Sequence, residues 1–359
     1  MASVRQSLTA LGASKDTLSF VEGAYRSGTR KVYDSRWSRW LQWCESQGVD
    51  PIKPRAVDLA NFLSYLASHD KLSPASVKVF RSAVVTSLKQ LGGRVRGVSD
   101  RPSLIRDVVK GISAASASQP RRVPRWDLFL VLSYLREPPF EPLRSLDRKQ
   151  LTLKTVFLVM LASGRRSSEV NALSGLPADI AQEQDGSFVL KFLPEFRAKN
   201  QGALERSPSI RIPPLSSILA PDDEDRFLCP VRALKRYLAN VSCTRSPTCR
   251  KLFLSVNPNF DKDVSSSSIS RWVMDVVRSA YASVGAALPE NRAHELRAWS
   301  ASIALSQSVP LRDILEAAYW KSEGTFSNFY LRDASFQRQD GSCGISSVVA
   351  AQRAISSTH

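Results

Sequence analysis

Apolar residues recur every three or four positions through the first third of the chain, which is the period of an amphipathic helix. One predicted helix has an apolar face made of Tyr33, Trp37, Trp40, Leu41 and Cys44. A break at Pro51 and Pro54 separates this helix from a second one. The apolar face of the second helix consists of Val57, Leu59, Ala60, Leu63 and Leu66.

A third helix has a recognisable start. Ser73 suits the N-cap and Pro74 the first helical position. A weaker fourth helix is predicted over residues 103–113. These patterns predict an all-helical module over residues 21–115, preceded by a flexible arm over residues 1–20.

The segment AASASQPRRVP that follows is small, polar, basic and proline-bearing, which is typical of an interdomain linker. We predict this linker over residues 116–125. Its arginines Arg121, Arg122 and Arg125 are candidate DNA-binding residues, because a chain that passes around a duplex meets phosphates. A plain solvated linker accounts for the same composition equally well.

A larger mixed domain is predicted over residues 126–335, followed by a tail over residues 336–359. Strands over residues 187–192 and 209–213, with Lys199 between them, predict a small antiparallel sheet. The helices of this domain are predicted over residues 151–162, 229–238, 267–283, 297–305 and 311–318. The tail contains SVVAAQRAI, a short amphipathic helix that either docks on a neighbouring protomer or folds back on its own chain. The fold class is mainly α with two domains, a helical module and a larger α/β domain with a small antiparallel sheet.

The charge balance favours a polyanionic partner. Lys and Arg total 50 against 33 Asp and Glu, which gives a formal net charge of +17 and a pI of about 10.0. A surplus this large creates a surface field that concentrates polyanions, so we expect nucleic acid as the partner. The chain has no stretch of about 18 apolar residues, so no membrane span is expected.

The cysteines do not predict a metal site. They are Cys44, Cys229, Cys243, Cys249 and Cys343. Their spacing is scattered, no CxxC pair is present and the chain has three histidines, so a zinc site is not expected. We interpret the cysteines as reduced thiols of an intracellular protein.

Three short segments carry residues suited to phosphate chemistry. ASGRRSSEV places Arg166 and Glu169 together at the start of a predicted helix, next to a buried segment. HELR places His294 three residues before Arg297, so both can face one pocket. AYWKSEGTFSNFYLRD places Tyr330 after a polar turn, SEGT. Taken singly, each segment is more typical of a helix cap, a surface pair or an aromatic core than of a catalytic site.

In combination, the order of these groups resembles the tyrosine recombinase family. The first arginine box of that family, T-G-x-R-x-S-E-[LIV], is matched by SGRRSSEV with Arg166 and Glu169 aligned, and the second box, H-x-L-R, is matched by HELR. Trp320 lies ten residues before Tyr330, where the family has His or Trp. Lys199 precedes a strand that ends in isoleucine and proline, as the family's mobile lysine does. The helical module is also similar to the family's N-terminal DNA clamp, which has a SAM-like fold.

The resemblance implies a role for each group. Tyr330 is the implied nucleophile, which forms a 3′-phosphotyrosine and conserves the bond energy for rejoining. Arg166 and Arg297 clamp the phosphate in the transition state. His294 accepts the phenolic proton or hydrogen-bonds the phosphate, and Lys199 is the general acid for the leaving 5′-oxygen.

Two further residues complete the implied pocket. Trp320 forms its wall and donates one N–H to a phosphate oxygen, and Glu169 orients His294 or Arg166. Ala298 departs from the pattern, because many relatives carry a second His there. The open alternatives are Arg165 for Arg166, Lys191 for Lys199 and Tyr319 for Tyr330.

The sequences HELR and TFSNFYLRD, together with the Trp, are most similar to the recombinases of DIRS-like retrotransposons. That similarity implies double-stranded DNA as partner, a homotetramer on DNA (a dimer or monomer when free), integration of a circular DNA form of a mobile element, and a nuclear location. It implies no cofactor and no metal. The alternatives are a non-catalytic, domesticated DNA-binding factor and a type IB topoisomerase. An RNA-binding protein is a weaker alternative, because no RNP or KH motif is present.

Overall fold

The computed structural model divides the chain into two compact units, residues 1–119 and residues 120–359. The division falls inside the segment predicted as a linker. No helix in the described part of the chain is long and apolar enough to cross a membrane. The described residues are 5, 8–10, 12–25, 27–93, 95, 102–116, 125–199, 209–217, 224–242, 245–256, 262–287, 292–320 and 322–332.

The described part of the first unit is helical, as the periodicity predicted. Its helices are α1 (Lys15–Gly23), α2 (Ser27–Gln47), α3 (Ala56–Ser68), α4 (Pro74–Gln90) and α5 (Pro102–Ala115). The predicted start of α4 is confirmed, because Ser73 Oγ accepts a hydrogen bond from the Ser76 amide at 3.3 Å. Helix α1 is a correction, since it begins inside the segment for which the sequence predicted a flexible arm.

Aromatic rings fill the centre of the first unit. The Trp40 ring is fully buried and packs edge-on against Phe62 at 5.0 Å between ring centroids. Phe62 in turn contacts Phe80 on α4 at 5.8 Å. Burying a large apolar side chain contributes about 1.5–3 kcal/mol to stability. The burial of these few rings therefore contributes much of the free energy that holds α2, α3 and α4 together.

The second unit combines helices with one small sheet. Its helices are α6 (Leu128–Arg136), α7 (Arg148–Ser163), α8 (Ser167–Asn171), α9 (Pro230–Ser242), α10 (Ser266–Ser283), α11 (His294–Ser306), α12 (Leu311–Ala317) and α13 (Glu323–Phe329). Its strands are β1 (Ile180–Gln182), β2 (Phe188–Leu190) and β3 (Ile210–Ile212). The mainly helical fold class with a small antiparallel sheet is therefore confirmed.

Helix α7 is the central element of this unit. Its residues from Leu151 to Ser163 are all buried, and it packs against α9, α10, α11 and β3. The helix even buries Lys154, whose ammonium donates to the Glu141 carboxylate and to the backbone carbonyl of Leu135 at 2.8 Å. A helix that is surrounded on every side holds its C-terminal end in a fixed position, and the candidate site begins there.

The sheet is antiparallel in the order β1-β2-β3. Residues Phe188 and Ile212 are paired, and both side chains face the core. The two predicted strands are thus confirmed in shortened form. Strand β1 was missed because its side chains are largely exposed and the polar sequence DIAQEQDG lacks the alternation that marks a half-buried strand.

Two boundaries in the second unit also differ from the prediction. The polar segment SEGT is not a turn, because Glu323 begins α13 and Ser322 stands at its N-cap position. Helix α11 begins at His294 rather than at Arg297, so the whole HELR motif is helical. The predicted tail helix lies outside the described residues.

Candidate active site

The first corner of the site is formed where α7 ends. Gly164 has a left-handed backbone conformation, with a φ of 58°, and a glycine adopts this conformation without strain. The chain reverses there and places Arg166 directly before α8. The Glu169 carboxylate accepts from the Arg166 amide at 3.0 Å and from the Arg166 guanidinium at 2.9 Å. The sequence-predicted pairing of Arg166 with Glu169 is therefore present.

Arg297 forms the second corner, on the buried face of α11. It is 1% exposed and donates to the carbonyl oxygen of Gly164 at 2.7 Å and to that of Ala318. Its Nη1 also lies 3.8 Å from Glu169 Oε2. The Glu169 carboxylate therefore lies close to two guanidinium groups, one from each of the two arginine motifs. The structure pairs this carboxylate with Arg166 and Arg297, where the sequence left open His294 or Arg166.

The aromatic wall of the site packs on Arg297. The Arg297 guanidinium lies 4.3 Å from the centroid of the Trp320 ring and 5.5 Å from that of the Tyr330 ring. The two rings are themselves 4.8 Å apart. Trp320 is buried, and its Nε1–H has no hydrogen-bond partner among the residues that the structure describes. A buried donor without an acceptor is costly, and an incoming phosphate oxygen would supply one.

His294 occupies the first position of α11, where part of its surface is open to solvent and part is covered by protein. Its pKa is lowered, first by the desolvation that the surrounding protein imposes and then by the positive charges of Arg166, Arg297, Lys199 and Arg292. Each of these cations disfavours a positive charge on the imidazole. A neutral imidazole at neutral pH is able to accept a proton from a phenol.

Lys199 is an exposed residue whose charge acts on His294. It follows β2 at the limit of the described hairpin, and its charge is one of those that lower the pKa of His294. Lys191, the alternative lysine, is not among the causes of that shift. The charge of Lys199 therefore acts on the His294 imidazole, and the role of Lys199 as the general acid stays a prediction.

Arg165 has a different environment from Arg166. It is 4% exposed, and its guanidinium lies 5.5 Å from the Tyr319 ring and 6.0 Å from the Phe192 ring. Its Nε and Nη1 have no hydrogen-bond partner in the described ranges. Burial lowers its pKa, partly offset by the Glu169 carboxylate. Arg166, by contrast, pairs with Glu169 at 2.9 Å, and the choice between the two arginines as the catalytic residue stays a prediction.

The candidate DNA-binding residues are only partly described. Arg121 and Arg122 lie outside the described residues. Arg125 is directed towards Glu295, with 4.0 Å between its Nε and Oε2, and its amide donates to Oε1 at 3.3 Å. Arg125 is thus partly engaged by Glu295, and its role in DNA binding stays a prediction.

Sequence reasoning missed Arg332, which pairs with the same Glu295 carboxylate at 2.7 Å. The two residues lie far apart in the sequence, and no local pattern relates them. The only available signal was the charge of each residue beside a motif that had already been singled out, Glu295 after His294 and Arg332 after Tyr330.

No family model matches the chain, and no curated protein sequence matches it significantly. Among solved structures, it is similar to lambda integrase (75-356), crystallised as a dimer bound to a COC′ core site, with a TM-score of 0.50, 16% identity, and coverage of 96% of this chain and 98% of that one. It is also similar to the XerH site-specific recombinase bound to difH substrate in a pre-cleavage complex, with a TM-score of 0.51, 16% identity, and coverage of 78% and 68%. The chain therefore has the fold of these integrases and site-specific recombinases, which is the fold that its resemblance to the tyrosine recombinases predicted.

Proposed function

We propose that this protein is a tyrosine recombinase that cuts and rejoins double-stranded DNA through a 3′-phosphotyrosine at Tyr330. One observation carries the proposal: the Tyr330 and Trp320 rings pack on the Arg297 guanidinium, and Arg297 shares Glu169 with Arg166. Residues that are remote in sequence thus surround one small cationic pocket, which suits a phosphodiester.

The chemistry follows from these positions. The Tyr330 oxygen attacks the phosphorus, the bond from phosphorus to the 5′-oxygen breaks, and the phenolic proton passes to His294. Lys199 gives a proton to the departing 5′-oxygen. Arg166 and Arg297 neutralise the charge that develops on the non-bridging oxygens, and preorganised donors of this kind are worth about 3–4 kcal/mol each. The reverse sequence rejoins the strand without an external energy source.

The proposed substrate is duplex DNA at a specific site. The net charge of +17 favours such a polyanion, and both similar structures described above are DNA complexes. By resemblance to the recombinases of DIRS-like retrotransposons, we propose that the enzyme integrates a circular DNA form of a mobile element in the nucleus, and that it acts as a homotetramer.

Covalent capture tests this proposal. The protein is mixed with a pool of nicked duplexes that carry a randomised stretch, so that the short cleaved fragment diffuses away and the adduct persists. We expect a protein–DNA adduct that survives denaturing gel electrophoresis and is absent in Tyr330→Phe, while binding of the duplex by Tyr330→Phe remains. An undiminished adduct in Tyr330→Phe contradicts the assignment of the nucleophile.

Plasmid substrates separate the related functions. A site-specific recombinase exchanges strands only at the sequence that the capture experiment selects. A type IB topoisomerase instead relaxes supercoiled plasmids of any sequence. A non-catalytic DNA-binding factor binds the duplexes and forms no adduct at all.

A further inference from the structure

The segment that follows Tyr330 is tied to α11 by a nearly buried ion pair. Arg332 Nε donates to Glu295 Oε1 at 2.7 Å, and Arg332 Nη2 donates to Oε2 at 3.2 Å. The two side chains are only 12% and 4% exposed. A two-point contact between a guanidinium and a carboxylate fixes orientation as well as distance, and removal of one partner from such a site leaves a buried charge uncompensated.

Ser302 provides a second tie on the same helix. The Arg332 amide donates to Ser302 Oγ at 2.8 Å, and the Ser302 hydroxyl donates to the Tyr330 carbonyl at 3.3 Å. Glu295 and Ser302 are separated by about two helical turns, so they lie on one face of α11. The chain from Tyr330 to Arg332 is thus attached along the helix that carries His294 and Arg297.

We propose that Glu295 is a positioning residue for the nucleophile, acting through Arg332. In this proposal, which rests on the proposed function, the Glu295–Arg332 pair sets the register of residues 330–332 on α11. That register keeps the Tyr330 ring against Trp320 and Arg297 of the same chain. Arg125 contacts the same carboxylate, because its amide donates to Oε1 at 3.3 Å and its Nε lies 4.0 Å from Oε2; Glu295 therefore has a second basic residue beside it.

The test compares variants on one DNA duplex, the sequence that wild-type protein selects from the randomised pool. Glu295→Gln and Arg332→Gln keep the size of each side chain and remove its charge. Because a misplacement of about 1 Å costs roughly a hundredfold in rate, we expect each variant to slow covalent capture by about that factor, with unchanged affinity for the duplex. The double variant should be no slower than either single variant, because both remove the same interaction.

Two further variants make the result interpretable. Arg332→Lys keeps one charged donor for Glu295, and we expect it to capture DNA faster than Arg332→Gln. Arg278→Gln removes an exposed arginine that pairs with Asp275 on α10, and we expect it to react at the wild-type rate. Arg332→Lys also tests the pair if the buried Glu295→Gln substitution prevents folding.

Three results overturn the inference. The first is capture at the wild-type rate by both glutamine variants. The second is a double variant whose loss equals the product of the single losses. The third is a parallel fall in melting temperature and DNA affinity, which would make the pair a support of the fold alone. An absence of any adduct with wild-type protein is a different outcome, because it contradicts the proposed function itself.

Discussion

Replacing Trp320 with phenylalanine separates the two roles of this side chain. Trp320→Phe retains an aromatic ring against Arg297, Tyr330 and Phe326, but it removes the Nε1–H. That N–H is buried and has no acceptor in the described part of the chain. We therefore expect it to donate to a phosphate oxygen of bound DNA. Trp320→Ala removes the ring as well.

The expected magnitudes differ for the two variants. A hydrogen bond to a charged group is worth about 1.5–3 kcal/mol, which corresponds to a roughly 10- to 150-fold slower capture of DNA by Trp320→Phe. Its free energy of unfolding should change by less than about 1 kcal/mol, because loss of ring volume is offset by loss of an unpaired buried donor. Trp320→Ala should lower the free energy of unfolding by about 3–5 kcal/mol.

The assays are single-turnover capture of DNA and urea unfolding of the free protein. Trp299→Phe is a matched control, because its Nε1–H already donates to the Trp126 carbonyl at 3.2 Å. We expect that control to lose more stability than Trp320→Phe, because it loses ring volume and a satisfied hydrogen bond, and to keep its capture rate. If Trp320→Phe captures DNA as fast as the wild type, the N–H does not meet a phosphate and this part of the reasoning is refuted.

Three further predictions address charge. The pKa of His294 is lowered, so the imidazole stays neutral to a lower pH than an ordinary histidine does. The rate of DNA capture should therefore fall on acidification, with a midpoint below a pH of about 6.5. A higher midpoint in a rate–pH profile contradicts the role of His294 as the proton acceptor. Arg165→Met removes a buried cation with unpaired donors and should raise the free energy of unfolding by about 1–3 kcal/mol, measured in urea; no increase would mean that Arg165 is compensated. Affinity for duplex DNA should fall steeply with salt, with a slope of about −0.9 in log K against log salt per phosphate contact, and a flat response in fluorescence anisotropy argues against a DNA clamp.

Periodic segments were predictable from sequence because burial imposes a period. The apolar run of α7 and the Ser73 cap of α4 are local signals, and both are present in the structure. Strand β1 and helix α13 were not predicted. The first is largely exposed, and the second begins with polar residues that also suit a turn.

The candidate site was predictable as a set of residues and only partly as a geometry. The order of the motifs predicted that Arg166, Arg297 and Tyr330 belong to one site. In the structure, Arg166 and Arg297 share Glu169, and the Tyr330 ring packs near the Arg297 guanidinium. The contacts of Glu295 with Arg332 join residues that are far apart in the sequence and that no periodic pattern relates, so they could not be predicted from the sequence. The burial of Arg165 could not be predicted either, because nothing in the sequence distinguishes it from the adjacent Arg166. The two side chains have different environments because the chain reverses direction at Gly164.

The most direct test of the central claim is to identify the residue that becomes attached to DNA. Trypsin separates the two rival tyrosines, because Tyr330 falls on the peptide 322–332 and Tyr319 on the peptide 313–321. After capture, nuclease trimming and digestion, mass spectrometry should find a nucleotide on Tyr330, and the released strand should carry a free 5′-hydroxyl. A nucleotide on Tyr319, or a released strand with a 5′-phosphate, contradicts the account.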